Sequence, residues 1–342
     1  MTAFATLAED ERRAYITQAG AELGILPVLV EKDFWVCWML ARIFELPDIG
    51  PHVVFKGGTS LSKVFKAIRR FSEDIDLQIS CSVLGLEEAS FWEEGISGSE
   101  SQRRIAGLKK KATEFIQSAF TPALERGVVA ALGPPAGRGT WLEYENDESA
   151  NSDVVWFTYP SALREESGYV RKAVMLEPGT LVDQRPIGTH TIEPMLAEIA
   201  VDSFEDFRTE VVALQFERTF WEKATILHVE HHRKSGANVG DRRSRHYSDF
   251  AALWRHDLRP AAAADLGMLD AVVRHKKLFF KSAWASYDTA MPPTLKLVPR
   301  DDRLGDLAAD YDLMEDFFFE KPPSFDEVIR TLREAENEIN GA

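Results

Sequence analysis

The chain has 342 residues, of which 45% are hydrophobic and 28% charged, a composition that excludes a disordered chain. Its net charge of −15 argues against a protein that binds nucleic acid over its whole surface. Two cysteines, Cys37 and Cys81, are too few for a disulfide framework, and neither C-x-x-C nor a Cys/His zinc spacing occurs. The N-terminal stretch "MTAFATLAEDERRAY" lacks a basic region followed by an apolar one. No apolar run approaches the ~18–20 residues that cross a bilayer. A reduced, cytoplasmic protein without membrane contact is therefore expected.

Residues 8–46 have helical apolar spacing, with one helix ending at Gly24 and the next carrying "PVLVEKDFWVCWMLARIFEL". "HVVFKGG" is a short β-branched run ending in a turn. "TSLSKVFKAIRR" then predicts an amphipathic helix of about three turns, with Thr59 or Ser60 as its N-cap. "DIDLQIS" alternates polar and apolar residues, as a half-buried strand does. A basic helical stretch over 99–127 and the loop "ALGPPAGRGT" follow. Three strand-like runs, "WLEYE", "DVVWFTY" and "GYVRKAVMLE", suggest an antiparallel sheet continuing from the first two strands. From about residue 195 onward nearly everything reads as helix. The expectation is an α+β core over 1–190, with a small mixed or antiparallel sheet and flanking helices, and a mainly helical domain over 191–342.

The chemistry concentrates in "VVFKGGTSLSKVFKAIRRFSEDIDLQIS". Asp74 and Asp76 are two apart on a strand, so their side chains share one face with Cα atoms about 6.5–7 Å apart. Two carboxylates about 5 Å apart repel by ~3 kcal/mol at an effective dielectric of 20, unless a cation lies between them. Mg²⁺ or Mn²⁺ is the expected cation, shared with substrate phosphates. Gly57 and Gly58 permit a tight turn in which a phosphate approaches backbone amides, and the helix that follows directs its positive end there. Gly57, Gly58, Thr59, Ser60 and Lys63 form the expected nucleotide-binding set. Alone, a glycine turn caps a helix and a D-x-D pair edges a strand; their combination on neighbouring elements favours a triphosphate–metal site.

"GGTSLSK…FSEDIDL" resembles the nucleotidyltransferase fold shared with polymerase β, and more narrowly the AbiE-type abortive-infection toxins of type IV toxin–antitoxin pairs. "VEKDFWVCWML", "FWEKATILH", "RHYSDFAAL" and "HKKLFF" are similar to that family in the expected order, with 83–168 the least recognisable part. The resemblance implies a third metal carboxylate on a later strand, for which Glu177 is the candidate and Asp183 the substitute. It also implies that Lys223 faces the triphosphate and that Asp249 is a catalytic carboxylate, with Glu177 or Asp249 assisting deprotonation of an acceptor hydroxyl. Both tail residues are then expected at the mouth of a solvent-filled cleft, where they contribute little to stability. The implied role is transfer of a nucleoside monophosphate from an NTP to RNA, with tRNA foremost. This inhibits growth in phage defence, under control of a separately encoded antitoxin.

Other readings stay open. Asp249 lies four residues after Arg245, a spacing that also suits a helical ion pair. Glu31, Lys32 and Asp33 either order the N-terminal helix against the core or line the cleft. His228, His231 and His232 do not fit a zinc-helix motif and read as a polar helix face. Basic runs at 103–104, 109–111, 241–246 and 274–277 suit RNA if they gather at the cleft. The same transfer to a small molecule or a protein hydroxyl is one rival function, and a catalytically silent nucleotide- or partner-binding module is another.

Overall fold

The computed structural model describes residues 1–93, 96–147, 152–163, 171–181, 185–200, 204, 206–236, 240 and 242–341. Two compact units emerge, one of Met1–Val64 with Phe71–Ala213, the other of Phe65–Arg70 with Leu214–Ala342.

The first unit is built on a seven-stranded sheet: β1 (Val53–Lys56), β2 (Asp74–Ser80), β3 (Leu142–Asp147), β4 (Ser152–Phe157), β5 (Val174–Leu181), β6 (Ile187–Ile192) and β7 (Thr209–Leu214). Its order is β3-β4-β5-β2-β1-β7-β6. β1 and β2 are antiparallel, as are β3–β4 and β4–β5, but β2 and β5 run parallel. The sheet is thus mixed, one of the two arrangements expected, with β5 parallel to β2 where the three strand-like runs suggested antiparallel order. Between β2 and β5 lie a helix at Gly98–Phe115, its extension to residue 132 and the β3–β4 hairpin, the kind of long crossover that lets a chain return in the same direction. β6 and β7 continue the sheet beyond residue 190, and β7 places strand where the sequence suggested helix.

Alternation along β2 sets the two faces of the sheet. Ile75, Leu77 and Ile79 are fully buried on one side, and β5 adds Val174 and Leu176 to it. Helix α1 (Glu9–Leu23) leads into α2 (Pro27–Phe44), which opens with proline in its first turn and is buried almost throughout. Trp35 stacks on Tyr159 and Trp38 on Phe157, each at 5.6 Å between ring centres. Burying rings of this size contributes roughly 2–3 kcal/mol each.

Glu31, Lys32 and Asp33 fall inside this apolar helix, and each is bonded. Glu31 accepts from Ser161 Oγ and the Ala162 amide, Lys32 pairs with Glu73, and Asp33 accepts from the Met195 amide and pairs with Lys63. All three are buried, so they fix the helix in the core rather than line an opening.

The crossover helix is shorter than its sequence suggests. α3 spans Gly57–Lys63, about two turns, and its N-cap is Lys56 rather than Thr59 or Ser60. Residues 65–70 leave the helical path, with Lys66 at φ 52°. They join the second unit instead: Phe65 packs on Phe216, Arg70 bridges Phe318, and the Phe319 amide donates to the Arg69 carbonyl. Tertiary pairing overrides the local helical pattern there.

The second unit is helical, with α4 (Phe216–His231), α5 (Ser244–Arg255), α6 (Leu266–Phe279) and α7 (Phe325–Asn340) as its main elements. α4 packs on α5 and α6, and α5 on α7. Phe220 meets Phe250 at 4.9 Å inside this bundle, and a Ser324/Glu327 capping box starts α7.

Candidate functional site

Strand register gathers the carboxylates. Asp74 and Asp76 share one face of β2, and Asp76 is the register partner of Glu177 on β5. Paired residues on adjacent strands point the same way, so all three carboxylates lie on one face, each half-buried. Asp183 lies outside the described residues. Among the described residues no three acidic, histidine or cysteine side chains converge tightly enough to enclose a metal ion.

Gly57 holds the turn against this face. Its φ is +78°, and a Cβ there would come within 2.5 Å of Asp76 Cγ and nearer still to Oδ2. Position 57 therefore excludes a side chain twice, by backbone conformation and by contact with the carboxylate. Gly57→Ala is expected to push Asp76 aside and lower nucleotidyl transfer by about a hundredfold, the cost of roughly an ångström of misplacement. Transfer at near wild-type rate by this variant would contradict the placement.

Three of the residues expected to hold phosphate are engaged elsewhere. Thr59 is buried, and its hydroxyl donates to the carbonyls of Asp74 and Ser72, tying α3 to the start of β2. Ser60 is fully buried and donates to the Gly57 carbonyl at 2.9 Å. Lys63 is ion-paired with Asp33; burial opposes its charge, but the carboxylate beside it raises its pKa above the ordinary lysine value. These side chains shape the loop from behind, which corrects the expectation that they contact a ligand.

Sequence reasoning missed Lys56. It is the register partner of Asp76 on β1, so its side chain shares the carboxylate face. Only the strand register reveals this, because the residue reads as an ordinary strand end.

In the second unit, Lys223 and Asp249 meet each other. Asp249 is 1% exposed; its Oδ1 accepts from Arg70 Nε at 2.8 Å, and its Oδ2 from Arg70 Nη2 at 2.9 Å and Lys223 Nζ at 2.7 Å. Burial works against this carboxylate's charge, yet Arg70 and Lys223 outweigh it and hold the pKa well below the usual range. Burial lowers the Lys223 pKa, with Asp249 partly restoring it. His246 Nδ1 lies 3.5 Å from the lysine, and burial followed by that cation pushes its pKa well down. A carboxylate satisfied on both oxygens is a poor proton acceptor, so Asp249 is corrected from general base to anchor of Lys223. Its principal partner is Arg70, not Arg245. Asp249 and Arg70 also line a cavity of about 470 Å³ with Tyr311, Phe318, Pro322 and Pro323.

The histidine run is not a polar face throughout. His228 is fully buried; the Lys296 amide donates to its Nδ1 and its Nε2–H donates to the Ser286 carbonyl, each at 3.0 Å. Burial lowers its pKa to about 4, against a smaller raising effect of the Ser286 bond. The unfolded chain, titrating near 6.5, thus binds a proton that the folded chain refuses. Stability is fully present above about pH 6.5 and falls as pH drops toward 4, by roughly 2 kcal/mol between pH 7 and 5. Denaturant midpoints at these two pH values should separate less in His228→Gln than in the wild type; equal separations would contradict this.

Residues 38–331 match the family described as nucleotidyl transferase AbiEii toxin, type IV TA system. The chain belongs to that family. No curated protein matches it. As an AbiEii toxin the protein is a nucleotidyltransferase with an NTP as co-substrate, one half of a toxin–antitoxin pair. The match takes in β1, α3 and β2 as well as Lys223 and Asp249. Among the described residues no helix is long and apolar enough to cross a membrane.

Proposed function

We propose that this AbiEii protein transfers a nucleoside monophosphate from an NTP to an RNA hydroxyl, tRNA foremost, at the β1–α3–β2 face. The observation that carries this reading is the placement of Asp74, Asp76 and Glu177 on one sheet face, with Gly57 packed against Asp76. Hard oxygen donors on a shared face suit Mg²⁺ or Mn²⁺, which Asp74 and Asp76 would hold. When bound, the ion neutralises charge developing at the α-phosphoryl group.

The chain's own residues do the rest. The Gly57–Gly58 turn brings the backbone close against the Asp76 carboxylate, where a side chain at position 57 would not fit. Glu177, beside Asp76, is the carboxylate placed to take the proton from the acceptor hydroxyl as its oxygen attacks the α-phosphorus, with pyrophosphate leaving.

An RNA acceptor is supported by the helix Gly98–Phe115, where Arg103, Lys109, Lys110 and Lys111 are exposed despite the chain's acidic balance. Each phosphate contact releases counterions, so transfer to RNA should fall steeply with salt. Charge reversal at Lys109, Lys110 and Lys111 should weaken RNA use more than NTP use. Transfer that ignores salt, with small hydroxyl compounds or protein labelled in place of RNA, would overturn the RNA acceptor in favour of those substrates. The net charge of −15 is what favours that second reading.

A further inference from the structure

We infer that Lys56 is the residue of the first unit that binds the outer phosphates of the triphosphate, an inference that rests on the nucleotidyl-transfer reading above. Sequence pattern assigns this task to Ser60 and Lys63, but neither is available. Ser60 is fully buried on the Gly57 carbonyl, and Lys63 is locked to Asp33 with 9% of its side chain exposed.

Lys56 differs in each respect. It ends β1 immediately before the glycine turn, and it stands opposite Asp76, so its stem rises from the same face as the carboxylates. Cβ atoms of such cross-strand partners are about 4.5–5.5 Å apart, and the four-carbon stem extends the ammonium beyond them. It is half-buried, and among the described residues its ammonium closes no ion pair or hydrogen bond, whereas Lys32 and Lys63 both do.

A lysine set among carboxylates without closing onto one of them points to an anion that arrives with the substrate. Phosphates of an NTP whose metal ion would be held by Asp74 and Asp76 would lie on the face from which Lys56 rises. The strand fixes the backbone of Lys56, so the ordering that opposes the contact is confined to its side chain.

The test uses a probe with no base, because the nucleotide is unidentified. Binding of inorganic tripolyphosphate and of orthophosphate, each with Mg²⁺, is measured by calorimetry on the full chain. Lys56→Ala should weaken tripolyphosphate binding about tenfold, as loss of a hydrogen bond to a charged group does, and raise the KM for NTP similarly. Orthophosphate binding should change by less than about twofold, and Lys56→Arg should recover most of the loss. If the alanine variant folds poorly, Lys56→Met, which keeps the stem, carries the comparison. Wild-type tripolyphosphate affinity in the Ala or Met variant overturns the inference while leaving nucleotidyl transfer standing. A wild-type protein that neither binds tripolyphosphate nor transfers a nucleotide overturns both.

Discussion

Asp76→Asn should lower nucleotidyl transfer by about a thousandfold, or ~4 kcal/mol of transition-state stabilisation, while the protein melts at or slightly above the wild-type temperature. The two effects have one cause. Asp76 shares its face with Asp74 and is flanked by Glu177, so like charges stand close together there and repel. The amide keeps the shape that fits against Gly57, so the fold is undisturbed, and it relieves the repulsion. It is also a far weaker metal ligand than the carboxylate. Asp74→Asn should behave alike. Transfer rates and thermal melts on the same preparations check this, and near wild-type transfer by either variant would remove the carboxylate pair from the chemistry.

Asp249→Ala is expected to have a large effect of the opposite kind, on the fold itself. The substitution strips the counter-charge from Arg70 and Lys223 together, both of which are buried. Breaking a buried pair by removing one partner costs about 3–5 kcal/mol, so the second unit should melt roughly 10 °C lower. Lys223→Ala should cost less, because Arg70 still satisfies both carboxylate oxygens. The placement replaces the sequence-based expectation that both residues face a solvent-filled cleft and contribute little to stability. Because the folded pKa of Asp249 is depressed, its stabilisation is present above the ordinary aspartate value of ~3.9 and lost as pH falls below it. Wild-type melting by Asp249→Ala would contradict the ion-pair geometry.

Much of the first unit is legible in the sequence because it is written in short periods. The alternation of "DIDLQIS" places Asp74 and Asp76 on one face and Ile75, Leu77 and Ile79 on the other, and the strand forms as that pattern requires. Glu177, put forward as a carboxylate on a later strand, stands beside Asp76 from within β5. Contacts between distant segments are what the sequence conceals. Lys56 opposite Asp76 depends on a register that no local pattern reveals, and Arg70 finds Asp249 across 179 positions. "TSLSKVFKAIRR" has helical spacing throughout, yet residues 65–70 are drawn away by Phe216 and Phe318. Thr59, Ser60 and Lys63 have the chemistry of a phosphate site; burial and bonding turn them to support.

The most direct measurement follows the two ends of the triphosphate separately. Purified protein is incubated with Mg²⁺, total RNA and each NTP in turn, labelled at either the α- or the γ-phosphate, beside Asp76→Asn. Label from the α-position of at least one NTP should appear in RNA, γ-label should leave as pyrophosphate, and the Asp76→Asn sample should show neither. γ-Label in the acceptor, or α-transfer undiminished in Asp76→Asn, would contradict nucleotidyl transfer at this face.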